Sequence, residues 1–267
     1  MDGIDFGFLE NSLYFTQNDI RPAVLTVQAA ELLHPAEMDR FIRTYMPLIK
    51  TDDPAVAGTF FCGWFRSVCL VQQYVVSVHD TSLDLSLSNL TVHLYPKNDR
   101  YGFAFRCNEM REFQAPPVLR KTWLKEVFTA LYRDQVRPLV ESVSRSTRAN
   151  TGLLWGQFAT GFHYYLNVFA ERVGDGFRRR QIAEDYRFLR EQLDGAVFGR
   201  KKNPFDVNVR YVDNPWEPGK PLPMKATCCM YYRTEGGDFC YTCPKLTEAE
   251  RAERKAAILA ELKKRRD

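Results

Sequence analysis

Four cysteines fall within sixteen residues near the C-terminus: Cys228, Cys229, Cys240 and Cys243. The pattern is an adjacent pair, ten residues, then Cys-x-x-Cys, with Pro244 following. Disulfides do not suit it. The chain holds seven cysteines, an odd number. Its first residues (Met1-Asp2-Gly3-Ile4-Asp5, with Glu10 following) show neither the basic nor the apolar region of an export signal. The expected location is therefore the cytoplasm, where thiols stay reduced. Cys62, Cys69 and Cys107 lie scattered among apolar residues and are expected to be packing thiols.

Four thiolates brought together repel unless they bind a cation. Glu235-Gly236-Gly237-Asp238 carries a turn signal, because glycine tolerates positive φ. A hairpin folded about it pairs Arg233 with Cys240, sets Met230 opposite Cys243 and Cys229 opposite Pro244, and gathers the thiols at one end. The chain must turn at Cys228-Cys229 for both side chains to reach that end. Tetrahedral zinc and an iron–sulfur cluster both suit four thiolates. Structural zinc usually takes two separated knuckles, which adjacent cysteines do not make. A two-iron cluster needs two thiolate pairs, which this spacing can deliver. The cluster is favoured, and zinc stays open.

The rest of the chain can bury a real core. Its 267 residues are 45% hydrophobic and 26% charged, enough for one large or two small domains at roughly 150 residues each. A net charge of +4 is too weak for an obligate nucleic-acid binder, but it permits a basic face toward an anionic ligand or a membrane surface. The most apolar stretch, Phe60 to Val78, is broken by Arg66, Gln72 and Gln73 and is not expected to span a membrane.

Residues 1–23 look irregular. Apolar spacing predicts helices over Val24–Leu33 and from Pro35 through Tyr45, then a buried helix from Pro54 to about Val78 capped by Asp52 or Asp53. Asp80 to Leu90 is expected to be a loop. Alternation over Leu90–Tyr95 and Tyr101–Cys107, with Pro96–Arg100 as the turn, predicts a β-hairpin. Helices follow at about 118–144 with a kink at Pro138, 151–172 and 178–198. Gly156 and Gly161 suggest close helix approach. Val207–Val212 is a candidate strand, and the proline-rich connector after it marks the boundary between a body (1–213) and a C-terminal segment (214–267). Thr247–Glu250 is a capping box opening a last helix that ends in Lys263-Lys264-Arg265-Arg266. The fold class is α+β: a mostly helical body, a small antiparallel sheet and a metal-binding C-terminal segment.

The Cys228, Cys229, Cys240, Cys243 pattern, with Tyr232-Arg233 and Gly237 inside the loop and Pro244 after it, resembles the C-terminal signature of the FhuF-like ferric siderophore reductases. Upstream, Asp53-Pro54 and Leu83-Asp84-Leu85-Ser86-Leu87-Ser88-Asn89-Leu90 are similar to the body of that family, with Ser88 where the motif has Asp. That body is related to a domain of the siderophore synthetases. The resemblance implies a [2Fe-2S] cofactor on the four cysteines and a siderophore cleft in the body.

The implied activity is one-electron reduction of siderophore-bound Fe(III) to Fe(II), with release of iron in the cytoplasm. A ferredoxin- or flavodoxin-type protein or a reductase would donate the electron. No catalytic group beyond the cluster is required, and no nucleic acid is involved. Contact with the cytoplasmic face of the inner membrane stays open. Lys225, Arg233, Tyr241 and Trp216 are candidate substrate contacts. Lys225, Arg233 and Lys245 would also raise the cluster's potential. The basic runs Arg178-Arg179-Arg180 and Arg200-Lys201-Lys202 are further candidates for lining the cleft. The alternative from a different class is a non-enzymatic interaction protein with a structural zinc site on the same four cysteines. A siderophore synthetase is disfavoured, because the chain is short and shows no glycine-rich phosphate loop.

Overall fold

The computed structural model describes residues 3–265. Its elements in chain order are α1 (Phe6–Leu13), β1 (Phe15–Thr16), β2 (Leu25–Gln28), α2 (Pro35–Leu48), α3 (Pro54–His79), β3 (Thr81–Leu83), β4 (Leu90–Lys97), β5 (Arg100–Cys107), β6 (Glu112–Gln114), α4 (Arg120–Thr129), α5 (Arg137–Thr147), α6 (Thr151–Arg172), α7 (Gly176–Gln192), β7 (Tyr211–Val212), β8 (Leu222–Pro223) and α8 (Glu248–Lys264). This is the expected α+β class. Arg266, the end of the last basic run, lies outside the described residues.

α3 is the axis of the body. Asp53 caps it by accepting a hydrogen bond from Ala55 N at 2.9 Å, Pro54 occupies the first turn, and Asp80 at φ 49° ends it. Its length and mean hydropathy of 1.3 would let it cross a membrane, but 67% of that window is buried inside the protein. α2, α5, α6 and α7 surround it. The two glutamines in the apolar run are accommodated by hydrogen bonds. Gln72 Oε1 accepts from Leu83 N at 3.1 Å, and Gln73 Nε2 donates to Ser77 Oγ at 3.0 Å. Cys62 and Cys69 are buried on the same helix, and burial pushes both thiols up, well out of the reactive range.

A four-stranded sheet of order β1-β5-β4-β2 closes one side. β4 and β5 form the expected hairpin, from Leu90↔Cys107 to Lys97↔Arg100. β1 pairs parallel to β5, and β2 antiparallel to β4.

Several expectations fail locally. Val24–Leu33 is not a helix. Leu25 and Val27 pair with Leu94 and Val92 as an edge strand, and only Ala29–Leu33 winds, as a 3-10 turn. Tertiary pairing overrides a short helical pattern there. Residues 6–13 are helical, capped by Asp5, whose Oδ1 accepts from Phe8 N at 2.9 Å. The Asp80–Leu90 stretch contains β3, paired with β6, and a short 3-10 turn. The long helix begins at Arg120 and widens into a π segment over Ala130–Val136 just before Pro138, which lacks the N–H that would continue the ladder. The third helix ends at Gln192, and only Tyr211–Val212 of the candidate strand is extended.

The junction of α3, α4 and α7 is ionic. Arg120 donates to both Asp80 (2.7 Å) and Asp185 (2.7 and 2.8 Å), Arg178 pairs with Asp80, and Ser77 Oγ donates to Asp185 at 2.8 Å. Burial raises the Asp80 pKa, but hydrogen bonds and charge from Arg178 and Arg120 more than reverse this and hold the carboxyl below its usual range. A carboxylate with a depressed folded-state pKa stabilises the fold above its unfolded value, about 3.9, and that contribution is lost as pH falls through the folded value. Calorimetry should therefore show the thermal midpoint falling steeply below about pH 4, with Asp80→Asn showing a smaller fall over the same range.

Candidate metal centre

The cysteine segment is gripped from three sides. On α6, Gly156 makes room: a Cβ there would lie 2.3 Å from Thr227 Cγ2. Gln157 Nε2 then donates to Thr227 Oγ1 at 2.7 Å and to the Cys228 carbonyl at 3.3 Å, and Thr160 Oγ1 accepts from Ala226 N at 2.9 Å. The start of α3 holds the loop. Arg233 pairs with Asp53 at 2.6 Å, and Glu235 N donates to the Lys50 carbonyl at 2.8 Å. α8 supplies Arg251, which is 4% exposed and donates to the carbonyls of Tyr241, Cys243 (3.1 Å) and Leu246 (3.3 Å).

The loop is not the expected hairpin. Met230 takes φ 64° and starts a 3-10 turn, Tyr231–Arg233. The next turns close through Thr234 N to the Tyr231 carbonyl (3.0 Å) and Gly237 N to the Thr234 carbonyl (2.9 Å). Gly236 has φ 68°, as the turn signal implied, but a Cβ on Gly237 would lie 2.0 Å from the Tyr231 carbonyl oxygen. The backbone thus packs back on itself too tightly for a two-stranded ladder, and its bonds go to local turns and to Lys50.

The thiols still converge, as two pairs. Cys228 and Cys243 Sγ are 3.6 Å apart, and Met230 N donates to Cys228 Sγ at 3.3 Å. Cys229 and Cys240 form the second pair. A hydrogen bond from the Cys240 thiol, opposed by burial and aided by the charge of Lys225, pulls Cys229 down to about 5, and the same shared proton pushes Cys240 up. Lys225 Nζ lies 3.2 Å from Cys229 Sγ. Burial would lower the lysine pKa, but the charges of Cys229 and Cys240 keep it above its usual value. A two-iron cluster takes two thiolates per iron. The two-and-two donor set fits the cluster.

Beside the second pair lies a cleft of about 480 Å³ between α3, α6 and the C-terminal segment. Cys229, Lys225 and Thr242 form one wall, and Trp64, Arg66 and Tyr165 face them from the body. Of the candidate substrate contacts, Lys225 lines this cleft. Arg233 is half exposed and engaged with Asp53. Tyr241 is buried with its hydroxyl donating to the Asp213 carbonyl at 2.8 Å, and Trp216 packs edge-on against it at 5.9 Å, exposed on its other side. Neither lines the cleft. Lys245 Nζ sits 3.2 Å from Tyr232 Oη. Arg178 is taken up by Asp80, and the 200–202 run lines a separate cavity behind Thr227. Gly156 admits Thr227, and Gly161 admits the Arg66 side chain of the neighbouring helix α3, against which α6 packs. Sequence reasoning missed Arg66 and Arg251. Each is one cation among many until the fold buries it.

Residues 60–215, more than half the chain, match the profile of a family described as ferric iron reductase FhuF-like transporter. The chain belongs to the FhuF-like ferric iron reductase family. Residues 226–245 match a second profile, the FhuF 2Fe-2S C-terminal domain, and this span contains all four clustered cysteines. The cofactor of this FhuF-like protein is a [2Fe-2S] cluster, which decides between the two metals weighed on the sequence. No curated protein matches the chain.

Proposed function

We propose that this FhuF-like protein reduces siderophore-bound Fe(III) to Fe(II) by one electron, in the cytoplasm. Cys228, Cys229, Cys240 and Cys243, which the fold brings together as two thiol pairs, would hold its cluster. When bound, the cluster supplies the electron. Siderophores grip Fe(III) through hard, anionic oxygens, and Fe(II), with its lower charge density, is bound far more weakly. Reduction therefore frees the metal without breaking an organic bond. The observation that carries this reading is the position of Cys229, which belongs to a thiol pair and also forms part of the cleft wall. A complex seated there meets the cluster ligand directly.

The chain's own residues position and tune. Lys225, hydrogen-bonded to Cys229, stabilises added negative charge and so raises the potential. Simple ferredoxin-like clusters lie near about −400 mV, low enough to reduce many ferric complexes. Arg251 and Gln157 fix the backbone that carries Cys243 and Cys228. The electron arrives from a ferredoxin- or flavodoxin-type donor or a reductase. Lys225→Met should lower the midpoint potential by roughly 60 mV, a tenfold change in a one-electron equilibrium. An unchanged potential in a spectroelectrochemical titration would show that the lysine serves only packing.

The purified protein tests the reading at once. It should be red-brown, with two irons and two sulfides per chain expected from the cluster, and with a reductant it should release Fe(II) from a ferric siderophore into a ferrous chelator. A colourless preparation with stoichiometric zinc sinks it.

A further inference from the structure

The cavity behind Thr227 is separate from the cleft beside Cys229. It encloses about 620 Å³, and the two share no lining residue. Ala226 and Thr227 form part of its wall, so it ends one residue short of Cys228. Gln157 Nε2 ties the two positions together, donating to Thr227 Oγ1 at 2.7 Å and to the Cys228 carbonyl at 3.3 Å. Cys228 belongs to the thiol pair with Cys243, whereas the cleft is walled by Cys229 of the other pair. The cysteine segment thus meets two separate spaces, one next to each thiol pair.

The rim of this cavity is cationic. Arg200, Lys201 and Lys202 line it and are exposed, and no Asp or Glu among the described residues lines it. The carboxylates on the flanking segments are engaged elsewhere. Glu141, which approaches Gly199, is taken up by Arg137 at 2.8 Å, Asp194 accepts from Ala196 N at 2.7 Å, and Asp206 lies 3.6 Å from Arg190. The loop that carries the cations is fixed in place. Asn203 Nδ2 donates to the carbonyls of Leu189 (2.7 Å) and Leu193 (3.0 Å), and Arg200 Nη1 donates to Thr151 Oγ1 at 2.8 Å. A Cβ on Gly195 would lie 2.6 Å from the Arg200 carbonyl oxygen, so the loop packs backbone against backbone. α6 opens at Thr151 beside the same cavity, and its dipole adds positive potential there.

We infer that the Arg200-Lys201-Lys202 face is the docking surface for the electron donor, and that this donor is an acidic one-electron carrier protein. The inference rests on the reductase reading. A [2Fe-2S] cluster accepts a single electron, so its partner must give up one electron and no hydride. The reduced carrier loses that electron, the cluster gains it, and no bond or proton moves. Exposed cations facing an acidic partner steer the encounter and speed association, while a small, polar contact keeps the complex short-lived, as turnover of a carrier requires. Entry beside Cys228 also leaves the cleft beside Cys229 free, so a donor can dock while the cleft is occupied.

The test is calorimetric titration of the oxidised, cluster-loaded protein with two oxidised probes, an acidic [2Fe-2S] ferredoxin and an acidic flavodoxin. At least one should bind, and binding should weaken at least about tenfold between about 0.01 M and 0.15 M ionic strength. Lys201→Glu with Lys202→Glu should weaken low-salt binding by at least about tenfold, flatten the salt dependence and slow cluster reduction by the reduced probe to the same degree. Both side chains are exposed and unpaired, so the visible spectrum should not change. Reduced methyl viologen, a small cation, should reduce the cluster of this variant no more slowly than that of the natural protein. Lys263→Glu with Lys264→Glu, the same change in net charge on the far end of α8, should leave probe binding within about twofold of the natural value. Binding of neither probe to the natural protein, binding that survives in the 201/202 variant, or an equal loss in the 263/264 variant would overturn the inference. Binding and cluster reduction that depend on residues 201 and 202, in a protein that then reduces no ferric siderophore, would sink the reductase reading and leave the docking surface standing.

Discussion

Replacing Cys240 by serine should strip the visible absorption of the protein and reduce its iron-reductase rate by more than about 100-fold. Loss of a partner one shell out from a metal already costs roughly 10–100-fold, and Cys240 is one of the four proposed donors themselves. A serine hydroxyl ionises far less readily than a thiol and is a poor ligand for soft iron–sulfide. The control is Cys62→Ala. Cys62 is buried in α3 among apolar side chains and belongs to neither thiol pair. That variant should lose some thermal stability through the small cavity and keep the full spectrum. Full absorption in Cys240→Ser, or bleaching in Cys62→Ala, would show that the cysteines are wrongly grouped.

Arg251→Met should have the second-largest effect. The guanidinium is almost fully buried and caps three carbonyls, those of Tyr241, Cys243 and Leu246, that surround the last two cysteines. A methionine of similar length fills the space but removes the donor from all three carbonyls, leaving that of Cys243 only a long bond from Leu246 N at 3.4 Å. The cost to stability should be about 3 kcal/mol, in the range for a broken buried charge–carbonyl network. The spectrum at rest should persist, because all four thiols remain. The loss should appear as a lower thermal midpoint and as bleaching by an iron chelator at least about tenfold faster. A chelation rate equal to that of the natural protein would mean that α8 does not brace the site.

The sequence made the centre legible where chemistry demanded particular residues. An adjacent cysteine pair with a downstream Cys-x-x-Cys constrains the ligand set whatever backbone joins them. The paired arrangement survived even though the hairpin meant to produce it did not form. The capping box at Thr247–Glu250 and the first-turn Pro54 were legible for the same reason: each satisfies backbone groups locally. What stayed hidden depends on residues distant in sequence. β2 is a strand only because β4 lies beside it. Arg66 became distinctive once Gly161, ninety-five positions later, opened a track for it without bringing a carboxylate. Arg251 looks like any charge on an amphipathic helix until the carbonyls of the cysteine loop close over it. Trp216 and Tyr241 drew attention as aromatic residues near the cysteines, but proximity along the chain did not place them in the cleft.

A single-turnover experiment tests the central claim most directly. The cluster is reduced under anaerobic conditions, excess reductant is removed, and a ferric siderophore is added in a stopped-flow instrument. The cluster's visible absorption should return as Fe(II) appears at a ferrous chelator, with one iron reduced per cluster reoxidised. Fe(II) release without reoxidation of the cluster, or a reduced cluster that stays reduced in the presence of every class of ferric siderophore, would contradict it.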